Sequence, residues 1–435
     1  MHNQVKSKDA VAVINALMAG VVPDNGIQHI TVGREKEVKA ILQAIEEVKN
    51  GQSHFKFWLG DYGSGKSFML KLLENLGLQL DFVVTGADFN PNIRLYARDG
   101  KALSLYRLLI KNLRIKTIYG GNALIGILDL WLEKQLKELA HNLSVPYSEI
   151  RKEQYKSLIY DGIQNRILEI SDTIGFDLSK VMIQYYDGVL MGNYKLMNLA
   201  LKWMKGEFHT KTESRKALGV GMIINDENYF SILNAWGKIF LQAGFKGFMI
   251  NLDEAVNLFR IHYSGIRMKN YEMILSFYND CYQGRVSNLF INLAGTPEFF
   301  DHPVKGLFSY EAIKTRLKFS ALDESTHQIY SQPVIRLLPL SHEEIFVLLR
   351  KAEAIFKVCY ALEFDISNES LEKFMQRWFE KDGHRDLITP REILREFLML
   401  LTIIKENPHQ DFKTLIQLHQ PVKANFYSNS RIDIF

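Results

Sequence analysis

The sequence has few of the features that mark secreted, metal-bound or membrane-embedded proteins. Its 435 residues include two cysteines, Cys281 and Cys359, too few for a disulfide framework or a cysteine-rich metal cluster. The longest apolar run near the end, residues 397–404, is interrupted by Thr402, whereas a membrane span needs roughly 20 apolar residues. The start shows no charged segment followed by an apolar one, as a secretory signal would. We therefore expect a cytoplasmic protein without membrane contact.

A strong excess of one charge is also missing. The chain has 53 lysines and arginines against 49 aspartates and glutamates, a net charge of +4. That balance permits contact with nucleic acid but does not predict it. With 47% hydrophobic residues the chain can bury a substantial core, and its length suits one large domain or about two to three ordinary ones.

What the sequence does contain is a phosphate-binding loop. The segment GDYGSGKSF, residues 60–68, has the spacing G-x-x-x-x-G-K-S. An apolar strand pattern, HFKFWL, precedes it, and a helical pattern over residues 67–76 follows, which is the context the motif requires. Lys66 would reach the β- and γ-phosphates, and Ser67 would ligate Mg²⁺. The predicted nucleotide-binding residues are Gly60, Asp61, Tyr62, Gly63, Ser64, Gly65, Lys66, Ser67 and Phe68.

An acidic pair follows a second apolar strand. The segment FMINLDEA delivers Asp253 and Glu254 at the carboxyl end of the strand, the edge where α/β sheets bind ligands. Asp253 would hold Mg²⁺ and Glu254 would act as the general base for water. The alternative is an acidic pair that caps the following helix.

Strand patterns alternate with helical ones, which predicts an α/β fold with a largely parallel sheet. Strands are expected at residues 54–59, 80–85, 247–252, 288–294 and 333–338. Residues from about 100 to 230 have helical periodicity, as in LWLEKQLKELA, and are interpreted as a helical insertion. After Pro339 the pattern is helical to residue 406, with capping boxes at Ser341/Glu344 and Thr389/Glu392, the latter followed by Pro390.

Three other nucleotide-binding classes fit less well. The tetrapeptide DEAV suggests a DEAD/DEAH helicase, but the chain after Asp253 is too short and too helical for a second helicase domain, and YQGRVS matches the late arginine motif poorly. A GTPase would need Asn-Lys-x-Asp, and the dipeptide Asn-Lys does not occur. The LSGGQ signature of ABC ATPases is also missing.

The motifs, in this order, resemble the AAA+ ATPases of the origin-recognition and STAND branch. By that resemblance Thr296, at the end of the next strand, would lie between the acidic pair and the γ-phosphate; Asn292 is the second candidate, and a simple turn is equally open. Arg316, in YEAIKTRLKF with Lys314 and Lys318, would be an arginine finger that reaches a neighbouring subunit. A solvated basic helix end is the alternative.

Two more arginines gain a role from the same resemblance. Arg391 falls in the first turn after the cap Thr389, where a cation opposes the helix dipole unless an anion lies nearby. It would contact the γ-phosphate from a helical lid; plain exposure to solvent is the alternative. Arg34 belongs to the segment ITVGREKEVKAI, which is similar to the box that cradles adenine, although it could also be a turn and a helix start.

A narrower resemblance rests on four segments: GDYGSGKSFML, INLDEAVNLF, LAGTPEFFD and TPREILREFL. They are similar to the ATP-binding protein family of BREX (bacteriophage exclusion) systems, over residues 30–400. This resemblance implies ATP and Mg²⁺ as cofactors. It also implies a phage-defence setting in which a helicase and other subunits are partners.

These observations together predict an ATP hydrolase that forms a homo-oligomer, works with other defence subunits and acts on DNA. An ATP-dependent switch or scaffold with little turnover is the alternative. The expected organisation is an N-terminal segment (1–50), an ATPase core (51–100 and 231–338), a helical insertion (101–230), and a lid with a tail (339–435). Contact with DNA would involve basic residues of the insertion, but Glu207 and Glu213 dilute this cluster, and a solvated surface is an equally open alternative. The basic residues are Arg151, Lys152, Lys202, Lys205, Lys211, Arg215 and Lys216.

Overall fold

The computed structural model describes residues 5–170, 174–317, 329–381 and 389–418. Five strands form one sheet: β1 (His54–Leu59), β2 (Val83–Asp88), β3 (Phe248–Asp253), β4 (Leu289–Gly295) and β5 (Val334–Arg336). Their order across the sheet is β2-β3-β4-β1-β5, and every neighbouring pair is parallel. This confirms the predicted α/β class with a parallel sheet.

Most of the described residues outside the sheet belong to helices. In chain order, α1 (Ser7–Met18) and α2 (Glu35–Lys49) precede β1, and α3 (Lys66–Gln79) follows it. Between β2 and β3 lie α4 (Lys101–Lys111), α5 (Leu124–Asn142), α6 (Lys156–Leu168), α7 (Gly175–Leu190), α8 (Tyr194–Met204), α9 (Lys211–Leu218) and α10 (Tyr229–Ala243). Between β3 and β5 lie α11 (Val256–Phe259), α12 (Ser264–Tyr282), α13 (Pro297–Asp301) and α14 (Glu311–Leu317). After β5 come α15 (His342–Tyr360), α16 (Asn368–Lys381), α17 (Pro390–Glu406) and α18 (Phe412–Leu418).

The second strand begins later than the sequence pattern predicts. The strand expected at residues 80–85 is instead β2, which starts at Val83, because α3 continues to Gln79 and the chain must then reverse direction. Asp81 makes that turn with a φ of 61°. Phe82 is buried without belonging to the strand, so its apolar character reports core packing and not strand pairing.

Two capping boxes match their prediction. At the start of α15, the Ser341 hydroxyl oxygen accepts a hydrogen bond from the Glu344 N–H. The Glu344 carboxylate in turn accepts one from the Ser341 N–H. Thr389 and Glu392 make the same exchange at α17, with Pro390 as the first helical residue. The helical pattern also runs past residue 406, into α18.

The chain divides into two compact units. The sheet unit comprises Lys36–Asp61 and Leu72–Leu337. The helical unit comprises the described residues of Met1–Glu35, Tyr62–Lys71 and Leu338–Phe435. Each compact unit therefore contains segments that are far apart in sequence. The domain boundaries expected from the sequence remain a prediction.

The core of the helical unit joins the two ends of the chain. Helix α1 packs against α15 and α17, and its residues Val13 and Ile14 are completely buried in the same apolar cluster as Leu349 and Phe397. Phe68, from the segment Tyr62–Lys71, packs against the edge of this cluster. The amphipathic N-terminal helix thus finds its apolar partner among the C-terminal helices.

The sheet unit has one continuous core that includes both the sheet and helices α4 to α10. Strands β1, β3 and β4 are buried along nearly their whole length, as parallel strands covered on both faces are. A buried exception is Lys56 of β1, whose ammonium donates to the carbonyl oxygens of Tyr330, Ser331 and Gln332 at 3.1, 2.9 and 2.7 Å. This contact fixes the segment that enters β5.

No helix within the described residues is long and apolar enough to span a membrane.

Candidate functional site

The carboxyl ends of the five strands lie along one edge of the sheet unit. Leu59 is in register with Gly295 of β4 and Arg336 of β5. The N–H of Gly60, the first residue of the phosphate loop, donates to the Gly295 carbonyl at 3.2 Å. Strands β1 and β4 are neighbours, but the chain leaves them in opposite directions across the sheet: from β1 to β2 at one end, and from β4 to β5 at the other. Such a reversal is where α/β sheets open a crevice for ligands.

The acidic pair lies at this edge, as predicted. Asp253 is the last residue of β3 and Glu254 follows it, exposed to solvent. Glu254 has a φ of 58°, a left-handed conformation that is strained for a residue with a Cβ, and its N–H donates to Asp253 Oδ1 at 2.7 Å. The short helix α11 follows directly, and its N-cap Ala255 makes no side-chain hydrogen bond.

A third carboxylate at the edge escaped the sequence reasoning. Asp88 ends β2 in direct register with Asp253. Burial of the carboxyl, and then the neighbouring Asp253, raise the pKa of Asp88, although much of its surface remains accessible to solvent. The signal was present in FVVTGAD, an apolar strand that ends in an acid just as FMINLD does.

Asn292 lies inside the sheet and not at its edge. Its side-chain oxygen accepts from the indole N–H of Trp58 on β1, and its amide donates to the side-chain oxygen of Asn251 on β3, both at 3.0 Å. Asn292 is completely buried, so it links three strands beneath the acidic pair. Through these hydrogen bonds, Asn292 has a structural role within the sheet.

Thr296 lies at the edge, half-buried, directly after β4. Its hydroxyl oxygen accepts the N–H of Phe299 at 3.2 Å and caps the short helix α13, in which Pro297 is the first residue. Residues 295–297 therefore lead from β4 directly into a short helix. An N-cap hydroxyl still has its own proton to donate, so the geometry is compatible with a second contact.

Most of the phosphate loop belongs to the helical unit. Gly63 and Gly65 have φ values of 82° and 94°, and α3 begins at Lys66, so the loop ends on a helix N-terminus. The hydroxyl of Ser64 is buried and has no hydrogen-bond partner among the described residues. A buried orphan oxygen beside a helix N-terminus fits a loop built to hold an anion such as a nucleotide phosphate. Tyr62 is 80% exposed.

Within the helical unit, the start of α17 lies against the loop. A Cβ on Gly63 would come within 2.3 Å of Thr389 Cγ2, so only glycine allows this approach. Arg391 lies in the first turn of α17, as predicted, and is exposed to solvent. Its side-chain carbons lie 3.8 to 3.9 Å from the position a Cβ on Gly20 would take. Its guanidinium makes no hydrogen bond or ion pair within the ranges the structure describes. A cation and a helix N-terminus therefore lie close to the loop.

The Gly33-Arg34 box also meets the loop. Helix α2 starts directly after it, at Glu35, as the sequence suggested. Arg34 is 6% exposed, and its Nη2 donates to the carbonyl of Ser64 at 3.0 Å and to that of Leu338 at 2.8 Å. A Cβ on Gly33 would clash with the Glu344 carboxylate, so the box fits closely against the start of α15.

Arg316 lies on α14 and is exposed. Its Nη1 donates to the Ala312 carbonyl of the same helix at 2.5 Å. Lys314 lies 3.4 Å from Glu311 Oε2. Lys318 falls outside the described residues. The guanidinium is thus accessible on a short helix, which suits either a surface helix end or a residue offered to a second subunit.

Several basic residues of the helical stretch have local partners. Lys202 Nζ is 2.6 Å from Glu213 Oε1, and Lys152 pairs with Glu149. Arg151 lies over the ring of Tyr147, 5.7 Å from its centroid. The remaining members of the set lie on or beside α8 and α9: Lys205, Lys211, Arg215 and Lys216. Lys152 and Lys202 thus each lie beside a carboxylate.

No group of three or more His, Cys, Asp or Glu side chains converges as a metal site in the part of the chain that the structure describes.

The parallel sheet, the loop between β1 and α3, and the acids at the sheet edge define an α/β protein with a core of the P-loop nucleotide-binding kind. The model of the family described as BREX system ATP-binding protein BrxC/D matches residues 5–420, and the chain belongs to that family. It is therefore an ATP-binding protein of a BREX system, as its sequence motifs suggested. No curated protein matches the chain.

Proposed function

We propose that this chain is a Mg²⁺-dependent ATP hydrolase of the AAA+ type that serves a phage-defence complex acting on DNA. The observation that carries the proposal is the position of the acidic pair in the sheet order. Strand β4 separates β3 from β1, so the ends of β1 and β3 are two strand spacings, roughly 10 Å, apart. That gap suits a terminal phosphate and an attacking water between the strand that leads into the loop and the strand that delivers the acids.

The proposed roles follow from side-chain chemistry. Lys66 neutralises the β- and γ-phosphates, while Ser67 and Asp253 are the protein ligands of Mg²⁺. Glu254 is the base that activates water. Its left-handed backbone supports this role, because a strained non-glycine residue at a ligand edge persists where the surrounding structure and function require it. Thr296 would orient the water or the γ-phosphate.

The AAA+ assignment rests on the segments around the loop. The C-terminal helices would form a lid, and α4 to α9 an insertion into the core. The exposed Arg391 on the helix that approaches Gly63 supports a lid arginine that contacts the γ-phosphate. Arg316 is the candidate finger for a neighbouring subunit in a homo-oligomer, and its exposure supports that use. The branch related to origin-recognition and STAND proteins is part of this proposal.

One observation favours a second candidate, an ATP-dependent switch with little turnover. The phosphate-loop segment Tyr62–Lys71, helix α1 and the C-terminal helices share one compact unit with one core. Nucleotide bound at this segment would therefore stabilise the helices directly, and that is sufficient to recruit a partner without hydrolysis. Partners in either case are other BREX subunits, a helicase among those expected.

Steady-state phosphate release separates the two functions. Purified protein is assayed with ATP and Mg²⁺, with ATP and EDTA, and with added duplex or single-stranded DNA. If the chain is a hydrolase, phosphate release should require Mg²⁺ and should be abolished by Lys66→Ala. Adding DNA should change its rate. Tight ATP binding with no release above that of Lys66→Ala would instead identify the switch.

A further inference from the structure

Arg34 is a buried arginine whose guanidinium contacts main-chain carbonyls beside the phosphate loop. One nitrogen, Nη2, donates to two main-chain carbonyls, Ser64 O at 3.0 Å and Leu338 O at 2.8 Å. Both hydrogens of that nitrogen are thereby engaged. The position of a Cβ on Gly65 would be 3.9 Å from the same nitrogen, so the guanidinium lies alongside the phosphate loop.

The contact with Ser64 controls the direction of the next N–H. Cis peptide bonds do not occur in the described chain, and in a trans peptide the C=O and the following N–H point in opposite directions. When Arg34 holds the Ser64 carbonyl, the Gly65 N–H must point away from Arg34. That N–H has no hydrogen-bond partner among the residues that the structure describes, so it is available to an external acceptor. In a phosphate loop, N–H groups of this kind bind the phosphate oxygens.

The contact with Leu338 connects the loop to the C-terminal helices. Leu338 lies two positions after the end of β5 and four positions before the start of α15. The neighbouring Gly33 leaves no room for a Cβ beside Glu344, which belongs to the capping box of α15. The box that holds Arg34 is thus fixed against the start of the same helix.

We propose that Arg34 is a positioning residue of the phosphate loop: it orients the Ser64–Gly65 peptide so that the Gly65 N–H faces the phosphates, and it anchors that peptide to the chain that enters α15. The inference rests on the proposed function, since it concerns the same nucleotide site. Arg34 should therefore contribute to the binding free energy of the nucleotide's phosphates and not to that of its base.

The test compares ligands that share the base and differ in phosphates. Dissociation constants of ATP, ADP and AMP are measured by competition against a fluorescent ATP for the wild type, Arg34→Met and Arg34→Lys. Arg34→Met keeps the apolar stem without donors and should weaken ATP and ADP on the order of tenfold while AMP changes less than about twofold. Arg34→Lys should show the same split to a smaller extent, because an ammonium can replace one of the two hydrogen bonds.

Arg107→Met is the matched control. Arg107 also donates to a main-chain carbonyl, that of Gly206, at 2.8 and 2.6 Å, and is half-buried within the sheet unit. Its loss should lower thermal stability without splitting ATP from AMP. If Arg34→Met does not fold, Arg34→Lys supplies the same comparison.

Two results would overturn the inference while the proposed function stands: unchanged ATP affinity in both Arg34 variants, or an equal loss for ATP, ADP and AMP. Failure of the wild type to bind ATP would remove the proposed function itself.

Discussion

Gly63 of the phosphate loop lies directly against Thr389, the N-cap of α17, and a Cβ on the glycine would come within 2.3 Å of the threonine methyl. The two residues are far apart in sequence, yet both belong to the helical unit. Two separate features require a glycine at position 63: the close approach of Thr389 and the left-handed φ of 82°. The shape of the loop and the position of the C-terminal helix are therefore linked.

The first prediction separates these two requirements. Gly63→Ala should lower the free energy of unfolding and weaken ATP binding, since the new methyl must displace either the loop or Thr389. Gly51→Ala is the control: Gly51 has a φ of 97° with nothing within 4 Å of its Cβ position, so it incurs only the backbone strain, about 1–2 kcal/mol. Adding Thr389→Ser to Gly63→Ala should restore part of the affinity. Equal effects of the two glycine variants in thermal melts and ATP titrations would contradict the link.

The second prediction concerns Glu254. Glu254→Gln keeps the size of the side chain but removes the base, so ATP should still bind and phosphate release should fall on the order of a hundredfold or more. Glu254→Gly should be equally inactive but at least as stable in a thermal melt, because glycine adopts a φ of 58° without strain. Normal turnover in Glu254→Gln would assign the base to another residue, and Asp88, in register with Asp253, is the next candidate.

The third prediction tests a neighbouring-subunit role for Arg316. Arg316→Ala should leave ATP affinity nearly unchanged and lower turnover, because a finger acts on the transition state. Mixing it with Lys66→Ala protein should recover part of the activity, since an intact pocket of one chain can then meet an intact arginine of the other. Lys314→Ala, on the same helix, is the control and should need no such rescue. No recovery on mixing, together with full activity in an isolated wild-type monomer, would leave Arg316 a surface residue.

The fourth prediction concerns Lys56 and pH. Burial lowers the pKa of Lys56 to about 8, while Glu47 acts in the opposite direction. Between about pH 8 and the ordinary lysine pKa of about 10.4, the unfolded chain keeps a proton that the folded chain has released, so this group makes stability rise with pH. Lys56→Met should lose that rise.

The measurement is the difference in unfolding free energy between wild type and Lys56→Met from pH 7.5 to 9.5. The upper limit keeps clear of buried tyrosines such as Tyr106, whose pKa is raised by burial and which would act in the opposite sense at higher pH. A constant difference across this range would show that the three carbonyls keep Lys56 charged.

Local chemistry was enough to predict much of the fold and several parts of the site. The phosphate loop, the acids after an apolar strand and the two capping boxes are short patterns, and each depends on residues only a few positions apart. The second strand was misplaced because an apolar residue such as Phe82 serves equally well in a strand or in the core beside a turn. Periodicity over so few residues does not distinguish the two.

The sequence by itself therefore determined the α/β class, the family and the chemistry offered to a nucleotide. Only the tertiary structure decided which distant residues meet: Asp88 beside Asp253, helix α1 among the C-terminal helices, Thr389 over Gly63, and Arg34 between carbonyls 30 and 304 residues away. Main-chain carbonyls and strand register carry no signature in the order of amino acids. They depend on how the helices and strands pack, and packing is set by the sum of many weak contacts rather than by any one motif.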